Sequence, residues 1–329
     1  MPRWSCPCGG AWTTSTAPPS ITSTSFSTVC SPGRNGAPRK PLEYPVSANL
    51  DKLLSYLEIQ AIDKYLFVGK SPRKPLRVFG GQVLAQSLNA AVRTVQEDRI
   101  AHSLHGYFLR PGDPQKQIVY EVDPIRDGKS FTTRRVVAKQ DGRAIFNTAI
   151  SFQVVEEGLA HQSTMPDVPP PEELESDHVE LEKLAQSHPH LAPFSMMGPI
   201  ERRRVNPRNR LDPQPREAVE HIWIRLGGEI GGDHVRHQTL LAYISDFGLL
   251  GTALYPHPYT PDSKRIQEAS LDHALWFHRP FRLDDWILYS IDSPNLSGSR
   301  GFSRGSFYTR DGVLVASSAQ EALLRLLPG

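Results

Sequence analysis

Apolar positions along this chain keep two rhythms, one of helices and one of strands. Leu50, Leu53, Leu54 and Leu57 fall on one face, which predicts a helix over 50–67 ending near Gly69. Phe79-Gly80-Gly81 opens a second helix, Gln82–Val95, with its stripe at Leu84, Leu88, Ala91, Val92 and Val95. It has no long hydrophilic face, so it is expected to be wrapped on several sides. The paired glycines before it suit a helix entry turn or the close approach of another backbone or a ligand. A third helix is expected over His237–Leu254, where Asp246 is the one charge between Leu240 and Leu254. Its helical neighbours would be Ala242, Tyr243, Leu249 and Leu250, and none of them can pair with a carboxylate by charge. Asp246 is therefore either the wet edge of this helix or a carboxylate tuned by burial into a general base.

Between these helices the period drops to two. His105–Arg110, Ile118–Val122, Phe131–Ala138 and Ala144–Gln153 read as strands, with hairpin signals at Asp127-Gly128 and Asp141-Gly142. The rhythm breaks over 156–215, a Pro-, His- and charge-rich stretch read as a surface linker with a short helix around Glu172–Gln186. Its basic run, Arg202-Arg203-Arg204, is expected to be a solvated face. The alternation resumes at His221–Leu226.

The second half then repeats the first. Ser103–Pro111 matches Ser270–Pro280 with small insertions, Ile118, Tyr120, Val122 and Asp123 match Ile287, Tyr289, Ile291 and Asp292, and Asp141-Gly142 matches Asp311-Gly312. The offsets are 270−103=167, 287−118=169 and 311−141=170, a drift small enough to indicate duplication. A strand meander around a single apolar helix, twice, predicts an α+β double hotdog: two tandem units, each a long central helix wrapped by an antiparallel sheet. Side by side, the units would cover each other's sheet edge.

Composition narrows the chemistry. The 329 residues carry 37 Lys+Arg against 35 Asp+Glu, a net charge of +2 that does not indicate a nucleic-acid binder. No run of about 18 apolar residues is present, so no membrane span is expected. Cys6, Cys8 and Cys30 all precede residue 31, so the body after them has no disulfide, Cys metal site or Cys nucleophile. Residues 1–44 are rich in Ser, Thr, Pro and Gly without periodicity and read as a disordered tail; their basic residues lack the amphipathic helix of a transit peptide.

Three motifs suggest other chemistry. Gly69-Lys70-Ser71 looks like the end of a phosphate-binding loop, but that motif needs glycine at position 64, where Lys64 stands. Gly301-Phe302-Ser303-Arg304-Gly305 fits the nucleophile elbow of a serine hydrolase, yet the residues after it alternate and turn at Asp-Gly instead of starting a helix. Ser270, Asp272 and His273 suggest a triad, but neighbours on a strand point to opposite faces. His102, His105, His273 and His278 have no carboxylate spacing for a metal.

The stretches RVFGGQVLAQSL, HSLHGYFLRPGDP, AYISDFGLLGTAL, SLDHALWFHRPF and RDGVLVASSAQEALLR, in this order, resemble the acyl-CoA thioesterase II family, the TesB-like double-hotdog enzymes. The similarity runs from about Leu50 to Arg325 and is weakest over 156–215. It implies hydrolysis of acyl-CoA to free fatty acid and CoA, with no cofactor, metal or covalent nucleophile. Carried over by motif, the family's Asp is Asp246, its Ser or Thr is Ser270 and its Gln is Gln320. Asp246 would activate a water that Ser270 and Gln320 orient as neutral donors and acceptors. A non-catalytic acyl-binding hotdog is the alternative of another class.

The resemblance further implies self-association into a homodimer or homotetramer and, through its peroxisomal members, a peroxisomal location. The terminal Leu327-Pro328-Gly329 is not a Ser-Lys-Leu-type signal, and cytoplasm or mitochondrion are the alternatives. The expected division is a tail over 1–44, hotdog units over 45–155 and 216–329, and a linker over 156–215. Arg279, Arg300 and Arg304 are candidates for adenine or phosphate contacts.

Overall fold

A computed structural model describes residues 47–72, 77–187 and 198–328. The tail expected over 1–44 lies outside the described residues. The first elements are helix α1 (Ser47–Leu57) and the short strands β1 (Ile59–Asp63) and β2 (Leu66–Gly69). The helical spacing of the leucines stops at Leu57, so the helix expected to reach residue 67 ends ten residues early and a hairpin replaces its second half. Ile59 and Phe67 turn into the core from that hairpin, which strands do with a period of two.

Helix α2 (Gly80–Val92) follows, and its residues from Gly81 to Leu88 are all buried. A meander of β3 (Ile100–Phe108), β4 (Ile118–Asp127), β5 (Phe131–Gln140) and β6 (Arg143–Gln153) wraps it. The Asp141-Gly142 turn joins β5 to β6, as its sequence predicts. Leu84 and Leu88 have no exposed surface, and burying each such side chain is worth about 1.5–3 kcal/mol.

Helix α3 (Asp177–Ser187) and strand β7 (Ile200–Arg204) come next. The basic run is not a solvated face. It lies in β7, paired with β8 (Val219–Leu226), and Arg202 is buried against the buried Asp177 at 3.1 Å, with Arg204 at 3.4 Å from the same carboxylate. A charge run read along the chain does not reveal a carboxylate that the fold brings to it from 25 residues away.

The second half repeats the plan with α4 (His234–Ile244), the single turn α5 (Leu249–Thr252), β9 (Ile266–Ser270), β10 (Asp272–Phe277), β11 (Ile287–Ser297), β12 (Arg300–Thr309) and β13 (Leu314–Leu326). The long helix expected over His237–Leu254 is broken. Gly248 sits at φ 87°, which favours glycine, and the helix stops at Ile244 and restarts at Leu249. Asp246 therefore lies in the turn beyond a helix C-terminus, not on a helix face.

Among the described residues the strands form one antiparallel sheet in the order β1-β2-β4-β5-β6-β3-β10-β13-β12-β11-β8-β7, with β9 paired to β13. Each half thus places its strands in the same sequence outward from a central seam, where β3 pairs with β10 through Leu104 and Leu275. This is the double hotdog that the repeat predicts. The two central helices, α2 and α4, pack on each other inside the sheet.

Candidate active site

The packing of α2 on α4 brings the start of one helix to the turn after the other. Gly80 and Gly81 make this approach possible. A Cβ on Gly80 would lie 2.6 Å from Asp246 Oδ2, and one on Gly81 would run into the Tyr243 carbonyl oxygen. With neither Cβ present, the Gly81 N–H donates to Asp246 Oδ2 at 2.8 Å. An N–H at a helix start has no partner within the helix and carries partial positive charge, so it suits a carboxylate.

The other carboxylate oxygen faces β13. Gln320 Nε2 donates to Asp246 Oδ1 at 2.8 Å. A carboxylate only accepts, which fixes the orientation of the Gln320 amide. Its carbonyl oxygen, Oε1, is then buried without a hydrogen-bond partner among the described residues.

The walls around the carboxylate are aromatic. Phe79 stacks on Phe247 at 4.9 Å and meets Tyr243 edge-on at 5.1 Å, and Phe108 closes in beside Gly80. Asp246 is half-buried, but this surround removes most of the water that would solvate its charge. Desolvation pushes its pKa up to about 6 against the opposing hydrogen bonds from Gln320 and Gly81. Tyr243, half-buried beside the same carboxylate, is pushed up to about 12 by desolvation and by that negative charge.

Ser270 ends β9 opposite Ala322 of β13, so it shares a sheet face with Gln320, two residues from Ala322 along that strand. Its hydroxyl has no hydrogen-bond partner among the described residues. Asp246 and Gln320 are therefore joined directly, and Ser270 is hydrogen-bonded to neither. Ser303 is elsewhere in role: it lies within β12, almost fully buried, and donates to the Leu249 carbonyl at 2.8 Å. No helix follows it, so the elbow geometry is absent.

Asp272 and His273 point apart. Asp272 accepts from the Glu321 N–H at 2.6 Å, and His273 bonds Ser245 Oγ at 2.9 Å in the interior. Of the basic candidates, Arg300 pairs with Glu321, Arg304 with Asp292, and Arg279 donates to the Leu314 carbonyl. Sequence reasoning missed the Gly81 N–H as a partner of Asp246, although the paired glycines were its signal. It also missed the groups behind Ser245, which no local pattern announces.

A carboxylate of raised pKa, an amide with a free buried acceptor and aromatic walls thus meet inside the double hotdog. Comparison with known proteins gives the family. Residues 199–323 match the family described as acyl-CoA thioesterase, and residues 70–153 match the acyl-CoA thioesterase N-terminal domain. Acyl-CoA thioesterase 2 of Haemophilus influenzae is 41% identical over 84% of this chain and 98% of its own length. Acyl-coenzyme A thioesterase 8 of Mus musculus is 44% identical over 83% of this chain and 89% of its own. The crystal structure of acyl-CoA thioesterase II TesB2 from Mycobacterium marinum superposes with a TM-score of 0.70 at 38% identity, over 84% of this chain and 98% of that one. The chain belongs to the acyl-CoA thioesterase family.

Proposed function

We propose that this chain hydrolyses acyl-CoA by direct attack of water, with Asp246 as the general base and Gln320 and Ser270 as the groups that orient the water. Thioester hydrolysis needs a water whose proton is taken as its oxygen attacks the carbonyl carbon. The observation that carries the reading is the Asp246 carboxylate held between the Gly81 N–H and Gln320 Nε2, with its pKa raised to about 6.

A water beside this pair can give one proton to Asp246 and the other to Gln320 Oε1. Its oxygen lone pairs are then free to aim at the substrate. Attack forms the tetrahedral intermediate while Asp246 takes the proton. Collapse breaks the carbon–sulfur bond, and the proton on Asp246 is available to the departing CoA thiolate. No acyl-enzyme forms.

Both sides of the site come from one chain, Gly81 from the first half and Asp246 from the second, so a single chain suffices for turnover. We carry three further points within this proposal. The hotdog units span 45–155 and 216–329, the joining stretch 156–215 lends β7 to the edge of the second unit's sheet, and a tail over 1–44 precedes them. Self-association gives a homodimer or homotetramer. The location is peroxisomal, by resemblance to peroxisomal members of the family.

The test is steady-state kinetics on Asp246→Asn with an acyl-CoA substrate and thiol detection. This change keeps the shape and removes the base. It lowers kcat by about 10²–10⁴-fold with little change in KM. A variant that keeps kcat within a few-fold of the native chain would remove Asp246 from the role.

A further inference from the structure

Behind the proposed base lies a buried polar cluster that the hydrolysis scheme does not use. Ser245, the residue before Asp246, caps α4 and has no exposed surface. Its carbonyl oxygen accepts from the Tyr289 hydroxyl at 2.9 Å, and its Oγ bonds His273 Nε2 at 2.9 Å. Tyr289 Oη in turn lies 3.0 Å from Ser318 Oγ. Two strands, β10 and β11, thus reach Ser245 through His273 and Tyr289, and β13 supports Tyr289 through Ser318.

The protons can be placed. Ser245 Oγ also lies 3.0 Å from the Ala242 carbonyl, and a hydroxyl has one proton to give. If that proton goes to Ala242, His273 Nε2–H donates to Ser245 Oγ. The vacant position is then a lone pair on His273 Nδ1, which is buried with no partner among the described residues. The reverse assignment would orphan an N–H, the costlier group to bury. Burial holds His273 down at about 3, so the imidazole is neutral wherever Asp246 is ionised. Tyr289 is fully buried, stacks on Phe307 at 3.9 Å, and burial holds its phenol protonated as a donor.

We infer that Tyr289 and His273 are positioning residues for the hydrolysis: they clamp the Ser245–Asp246 peptide so that the carboxylate stays between Gly81 and Gln320. The reason is geometric. Asp246 sits in a turn between two helices, and a turn left to itself samples several backbone states. Hydrogen bonds to both the carbonyl and the side chain of the preceding residue remove that freedom. Each clamp group is neutral, so it holds the turn without competing with the carboxylate for a proton. The inference rests on the reading of Asp246 as the base.

The test compares Tyr289→Phe, His273→Leu and His273→Gln in the full chain, measuring kcat, KM, the acid limb of the pH profile and the thermal unfolding midpoint. Tyr289→Phe keeps the ring stack and removes one O–H. Its kcat falls about tenfold with KM within twofold, since misplacing a catalytic group slows the step it serves. Its acid limb moves upward, because a loosened carboxylate loses the bonds from Gly81 and Gln320 that oppose desolvation. His273→Leu shows the same loss, and His273→Gln, which restores an N–H donor, recovers most of it. In an Asp246→Asn background, Tyr289→Phe costs less than twofold.

Native kcat and an unmoved acid limb in Tyr289→Phe would overturn the inference, as would a full tenfold loss that persists in the Asp246→Asn background. Should Tyr289→Phe not fold, the His273 pair decides alone, equal rates for Leu and Gln counting against the clamp. A native rate for Asp246→Asn itself would instead sink the base assignment.

Discussion

The turns that follow α2 and α4 occupy matching places in the two halves and hold opposite chemistry. At the seam, Leu104 pairs with Leu275, and these pair outward with Ile150 of β6 and Ser318 of β13. The Asp141-Gly142 and Asp311-Gly312 turns that lead into β6 and β13 are offset by 311−141=170, so Gln320 in the second half corresponds to Ile150 in the first. The helix C-caps are Arg93 and Ser245, so Asp246 corresponds to Thr94. In the second half the site is an ionisable carboxylate, an amide and an aromatic wall. In the first, a buried Arg134 donates to Thr94 through Nε to Oγ1 and Nη2 to the carbonyl, both at 3.0 Å, and reaches Asp127 at 2.6 Å. Ile150 fills the place of the glutamine with no exposed surface. The frame alone therefore does not make a reactive site. It makes a turn beside a strand, and the side chains there decide between an ionisable carboxylate and a guanidinium that ties the turn down.

Among changes that leave Asp246 itself in place, the largest effect is expected at Gly80. Its change to Ala puts a methyl 2.6 Å from Asp246 Oδ2 and 2.9 Å from Phe108, so the carboxylate must move. The kcat falls about 100-fold, while circular dichroism and elution volume stay native. Retained activity would mean that the approach of α2 to the turn does not matter.

Arg134→Met sharpens the contrast from the other side. Removing the buried guanidinium leaves Thr94 and part of the turn unpaired, so stability falls by about 2–4 kcal/mol in urea unfolding. The rate per folded molecule stays native, because Arg134 belongs to the half without the base. A collapse of kcat in folded Arg134→Met would show that the two turns are coupled.

The Asp246→Asn change has a smaller, opposite effect on stability. Its carboxyl pKa is raised by folding from 3.8 to about 6, so the group favours the folded state at low pH, where it is protonated in both states. That contribution is lost as pH rises through about 6, and the charged carboxylate then burdens the fold. Asn escapes this. Above pH 6 the variant gains about 1–3 kcal/mol, allowing for partial exposure of the group, and its advantage shrinks as pH falls toward 4. An equal gap between the variant and native unfolding midpoints at pH 5 and pH 8 would contradict the raised pKa.

Least of all is expected at Ser303→Ala. Its hydroxyl serves the Leu249 carbonyl, so turnover stays within about twofold of native and no label from an acyl substrate is trapped on the chain.

Strand alternation, the Asp-Gly hairpins and the drift of the repeat made the double hotdog legible, because burial on one face leaves its mark on every second residue. Asp246 was visible as a lone charge in an apolar run. Its true setting was not. The run hid a break at Gly248, since a glycine inside a helical pattern is tolerated as often as it ends one. The leucines of α1 carried the helix expectation past Leu57 into a hairpin. Arg202 looked solvated because its partner Asp177 is contributed by another element. Long-range pairings of this kind, Gly81 with Asp246 across 165 residues among them, leave no local trace.

The pH dependence of kcat, measured from pH 4.5 to 8 on the native chain and on Asp246→Asn, tests the central claim most directly. The base acts as the carboxylate, so the native rate is full above about pH 6 and falls as pH drops through it. In Asp246→Asn the residual rate lacks that limb. A native profile with no inflection near pH 6, or the same limb surviving in Asp246→Asn, would contradict the account and assign the proton transfer to another group.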